Sequence, residues 1–100
     1  QTYDLSIRVL KTERRPDGSY RLLLEISARK EENGRKLPVD EDMEVAVSGN
    51  SGRLFSRKYR ITEDRTRLSL VVRQRPEQVM IDPMGYILDP DQRDNSAKVK

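Results

Sequence analysis

The chain has 100 residues, 34% of them hydrophobic and 37% charged, and its 20 Lys and Arg exceed its 17 Asp and Glu by a net charge of +3. That length makes one domain with a thin core, burying roughly two-thirds of the unfolded chain's surface and leaving no room for a deep cleft between subdomains. With no Cys and no His, disulfides, thiolate zinc sites and every Ser-His or Cys-His nucleophile are excluded, and the commonest general base is missing.

Residues 3–10, "YDLSIRVL", alternate Tyr3, Leu5, Ile7 and Val9 with Asp4, Ser6 and Arg8, the period-two pattern of a strand with one buried face. The turn signal "PDGS" follows, and "YRLLLEISARK" then sets Tyr20, Leu22, Leu24, Ile26 and Ala28 against Arg21, Glu25, Ser27 and Arg29, with Leu23 as the exception. A hairpin closed at Asp17-Gly18 is expected. Beyond the loop "EENGRK", Met43, Val45 and Val47 alternate with Glu44, Ala46 and Ser48 in a third strand that an acidic loop precedes. The stretch "SGNSG" breaks it. "RLFSRKYRI" next places Phe55, Tyr59 and Ile61 on one face, and Arg57 on that same apolar face marks an edge strand. After "TEDR", "TRLSLVVRQ" alternates Leu68, Leu70 and Val72 with Arg67, Ser69 and Arg73. "EQVMI" supplies a sixth strand and "YIL" a short seventh.

Short strands with Gly, Pro, Asn and Asp between them, and no helical periodicity, predict an all-β, antiparallel immunoglobulin-like β-sandwich of about seven short strands. The expected core is Tyr20, Leu22, Leu24, Ile26, Val45, Val47, Leu68, Leu70, Val72, Val79 and Ile81. The sandwich is expected over residues 1–95, with 96–100 as a polar tail. In the closing stretch, Pro83 and Gly85 suit a type I turn in "DPMG", whose amides the Asp82 carboxylate would accept from.

Carboxylates are the only abundant catalytic residue type, and the densest group is Asp40, Glu41, Asp42 and Glu44. A glycosidase needs two carboxylates facing each other across a sugar, one in an apolar setting. Near-consecutive acids on a polar loop do not supply that, so they read as a solvated loop. Asp89, Asp91, Asp94 and Asn95 carry oxygen ligands of the kind calcium prefers, but without the EF-hand spacing, and ordinary turn chemistry accounts for them. No catalytic residue, cofactor or metal site is assigned.

Residues 53–75 hold eight Lys and Arg against Glu63 and Asp64, so this stretch reads as a basic hairpin. Arg57, Lys58, Arg60, Arg67 and Arg73 are its candidate anion-binding surface, for an anionic lipid, a glycan or a nucleic acid. The competing reading is the Lys and Arg protection that edge strands carry. Nucleic acid is not expected, because Phe55 and Tyr59 fall on the core face and leave no platform for bases.

No run of eighteen apolar residues is present. The start at Gln1 without Met and the polar end "NSAKVK" read as a segment of a longer protein whose targeting signals lie elsewhere. Within it, Asn33-Gly34, Pro38, Asp40, Arg60-Ile61-Thr62, Pro76, Ile81-Asp82-Pro83, Ile87-Leu88-Asp89 and Asp94-Asn95 form a pattern over roughly residues 20–97. It resembles the C-terminal β-sandwich of bacterial zinc aminopeptidase-like proteins of the aminopeptidase N superfamily, including those fused to ABC-type exporter permeases. The resemblance implies a non-enzymatic accessory module that packs against a peptidase-like domain of the same parent chain. It also implies a periplasmic or cell-surface setting and contact with a membrane only through the parent.

Overall fold

The computed structural model describes residues 2–83 and 95–99. Eight strands are described: β1 (Thr2–Arg14), β2 (Tyr20–Glu32), β3 (Arg35–Leu37), β4 (Glu41–Gly49), β5 (Gly52–Ile61), β6 (Arg65–Val72), β7 (Gln78–Ile81) and β8 (Ser96–Lys98). They form two antiparallel sheets. In the first, β2 pairs with β1 on one side and with both β3 and β6 on the other. The second has the order β5-β4-β7-β8. The fold is an all-β, immunoglobulin-like sandwich, as the alternation predicts. It is 49 Å long and 22 by 20 Å across. Length follows from β1 and β2, since 13 extended residues reach about 43 Å.

The β1–β2 turn is built as its sequence demands. Pro16 supplies the fixed φ of a type I turn whose first carbonyl, on Arg15, accepts from the Gly18 amide at 2.9 Å. Gly18 then takes φ +88°, which a side chain would resist, and the Asp17 carboxylate accepts from the Ser19 amide at 2.9 Å. Asn33 and Gly34, with φ of +52° and +76°, make the tight turn into β3.

The inner faces meet where period two puts them. Leu5, Ile7, Leu22, Leu24, Ile26, Leu70 and Val72 of the first sheet bury against Met43, Val45, Val47, Ile61, Val79 and Ile81 of the second. Tyr20 and Leu68 lie partly buried against this core. Strand β5 is the edge that Arg57 predicts, opposite Val45 yet exposed.

Two expectations are corrected. Residues 53–75 are not a hairpin: β5 pairs with β4 and β6 with β2, in different sheets. The chain crosses between sheets after buried Ile61, and the Asp64 carbonyl anchors the arrival by accepting from the Ala28 amide at 2.8 Å. Nor is the polar tail expected over residues 96–100 free across the described stretch 96–99. Ser96–Lys98 pair with β7, and Ala97 and Val99 pack against the core. The expected strand "YIL" and most of the "DPMG" turn lie outside the described residues. Asp82 is buried with φ +50°, and its amide donates to the Glu44 carbonyl at 2.8 Å.

Candidate functional site

Among the described residues, the outward face of the first sheet carries a cluster of charged side chains around one carboxylate. Strand β2 runs down its middle, and its register sets Arg8 of β1 and Arg67 of β6 on either side of Glu25. Arg8 donates from Nε to Glu25 Oε1 at 3.0 Å and brings Nη2 to 2.8 Å from the same oxygen. Arg67 donates from Nε to Oε2 at 3.4 Å. The two guanidinium groups cover the carboxylate, whose side chain is only 4% exposed. Hydrogen bonding to Arg8 outweighs that burial, so the Glu25 carboxyl is held below its usual range, with Arg67 and the charge of Arg65 acting in the same direction.

One row along, Ser6, Ser27 and Arg65 stand side by side, and in the other direction Lys11, Leu23 and Ser69 do. The register shift at Val9/Lys11 inserts Leu10 and keeps both Arg8 and Lys11 on the outward face. Arg21 donates to Ser69 Oγ at 2.9 Å. Where β3 ends and β6 begins along the same side of β2, Lys36 and Asp64 bridge the gap as an ion pair. A shallow depression of about 230 Å³ lies over that junction, with Ser6, Ser27, Arg29 and Arg65 on its walls.

The residues singled out in the sequence are divided between the sheets. Arg67 lies on β6 at the charged face, and Arg73 follows that strand. Arg57, Lys58 and Arg60 lie on β5 at the edge of the other sheet. Arg60 is held there by Asp40 at 2.8 Å and Asp42 at 3.3 Å, while Arg57 sits 5.3 Å from the centre of the Tyr59 ring. The expected acidic loop is corrected: Asp40 precedes β4, whereas Glu41, Asp42 and Glu44 belong to that strand, and each is tied down, with the Tyr3 hydroxyl donating to Glu41 at 2.6 Å, Glu44 accepting from Ser56, and Asp40 and Asp42 sharing Arg60. Asp89, Asp91 and Asp94 lie outside the described residues.

The face centred on Glu25 escaped the sequence reading. Alternation did put Arg21, Glu25, Ser27 and Arg29 on the outward side of β2. Which residues flank them depends on pairing with β1 and β6, the latter more than forty residues away at Arg67, and no local pattern encodes that partner.

No family model and no curated protein matches the sequence. Among solved structures, the chain is similar to a CARDB domain from Pyrococcus furiosus, crystallised in complex with di-metal ions. The TM-score is 0.72 at 11% identity, over 97% of this chain and 89% of that one. The likeness is one of fold.

Proposed function

We propose that the chain is a non-catalytic accessory module of a larger extracytoplasmic protein, in which it packs against a catalytic domain of peptidase type. The observation that carries the non-catalytic reading is Glu25. Its carboxyl is buried, yet it is pushed down by Arg8, whereas a general acid needs its pKa raised. Other carboxylates likewise hold strands together: Asp40 and Asp42 with Arg60, Asp64 with Lys36, Glu41 with Tyr3. The similarity to a CARDB domain supports a self-contained sandwich module. The di-metal ions belong to that protein, and at 11% identity the likeness carries the fold alone. The peptidase-like parent rests on the sequence resemblance.

Assay of the purified chain against aminoacyl and glycosyl reporter substrates tests the first part, with no turnover expected. Turnover abolished by a carboxylate-to-amide change would overturn it. For the second part, the coding sequence upstream of Gln1 is expected to contain an H-E-x-x-H motif; a parent without a peptidase-like domain removes that assignment.

A further inference from the structure

Glu25 is a carboxylate on the solvent side of a sheet that its own neighbours have covered. Arg8 and Arg67 remain 64% and 67% exposed while reaching inward to it. Each guanidinium has five N–H donors, and Glu25 engages two on Arg8 and one on Arg67. The remaining donors belong to largely exposed side chains that the bonds to Glu25 already restrain. A partner would therefore lose less side-chain entropy in ordering them.

The surroundings decide what such a pair would meet. Between Ser6 and Glu13 on β1, Arg21 and Ser27 on β2, and Arg65 and Val71 on β6, five cations stand against the two carboxylates Glu13 and Glu25. That leaves +3, the net charge of the whole chain, so the rest of the molecule is balanced. Four of the five cations are Arg, whose planar fork matches a carboxylate through paired hydrogen bonds. No aromatic residue faces outward among these positions to stack a base or a sugar ring. Leu23 and Val71 do face outward, and Val71, at 42% exposure, is the exposed large hydrophobic residue among those described. Arg beside apolar side chains is the composition of a protein–protein contact.

We propose that this face is a docking surface for a carboxylate-rich protein surface, with Arg8 and Arg67, anchored side by side by Glu25, as its central contacts. The inference rests on the accessory-module reading and adds the face through which the module engages its neighbour.

Titration of the 100-residue chain with poly-L-glutamate, followed by amide NMR, is the test. Shifts are expected at Leu23, Ser27, Arg65 and Ser69, with affinity falling as salt rises. Arg65→Glu combined with Lys11→Glu leaves the Glu25 hydrogen bonds intact and should weaken binding about tenfold or more. Arg53→Glu combined with Lys58→Glu removes the same charge from the second sheet and should change affinity by less than about twofold. Equal losses from the two pairs would assign the binding to net charge and overturn the proposal. Glu25→Gln raises the positive charge but frees the guanidinium groups, and about threefold weaker binding is expected; tighter binding overturns the anchored pair. Tighter binding to heparin or to phosphatidylglycerol vesicles than to poly-L-glutamate, through the same residues, overturns the protein partner in favour of a sulfated glycan or a lipid. A chain that binds none of these and hydrolyses nothing loses the docking face but keeps its accessory role, whereas reporter hydrolysis with poly-L-glutamate binding does the reverse.

Discussion

Glu25 shows how a single side chain can be buried and still stay charged. Burial alone would raise its pKa, yet the Arg8 guanidinium, then Arg67, pull it below its ordinary 4.5. Because the folded value lies below the unfolded one, the stabilisation is fully present above about pH 4.5 and is lost as pH falls through the folded value. Glu25→Gln should therefore destabilise the chain most near pH 6, and the gap to wild type should shrink near pH 3. Urea unfolding at the two pH values checks this, and a gap independent of pH would mean that the ionised carboxylate is not what holds the arginines. Gly49 is a second residue with a specific demand. A Cβ there would lie 2.9 Å from the Arg75 backbone carbonyl, which is less free to move than the tip of Leu54 on its other side. Gly49→Ala should cost about 1–3 kcal/mol, the range for overpacking, read as a lower urea midpoint with an unchanged m-value.

At the scale of elements, how much of the fold was legible depended on strand length. In β2 and β4, the alternation of Leu22, Leu24 and Ile26, and of Met43, Val45 and Val47, is long enough to fix which face is buried. Three-residue strands carry no usable period. Strand β3 exists because Asn33-Gly34 folds Arg35–Leu37 back on β2, and β8 is defined by its pairing with β7 and by Ala97 on the core. Partner choice was equally hidden: β5 and β6 are separated by a three-residue connection that looks like a hairpin turn, but their buried faces belong to opposite sheets. The basic candidate residues are accordingly divided, with Arg67 on one sheet and Arg57, Lys58 and Arg60 on the other. Strand β8 can be tested against the free-tail expectation. Ala97→Asp puts a charge where Ala97 now packs on the core and should cost about 1–3 kcal/mol, lowering Tm by about 4 °C or more. A free tail would tolerate the change silently.

For the molecule as a whole, one sheet serves two surfaces, and register keeps them apart. Leu24 and Leu23 are chemically identical neighbours on β2. Leu24 is fully buried and pairs with Val9 and Leu68 on the core side. Leu23 pairs with Lys11 and Ser69 on the outward side, beside Glu25 and its arginines. Because successive side chains point to opposite faces, a one-residue slip of β2 would turn Glu25 into the apolar core, away from its arginines, and expose Leu22, Leu24 and Ile26 together. The apolar set and the charged set thus enforce the same register from opposite sides. The bulge at Leu10 preserves that register on β1, returning Lys11 to the charged face after Val9 has faced the core. Leu24→Ala should accordingly cost about 2–5 kcal/mol through the lost transfer energy and the cavity it leaves. Leu23→Ala should cost about 1 kcal/mol or less, since its surroundings can fill with solvent. Urea unfolding of the two variants measures the contrast; similar losses at both positions would show that the outward face is covered in solution and that the two surfaces are not separated as the register requires.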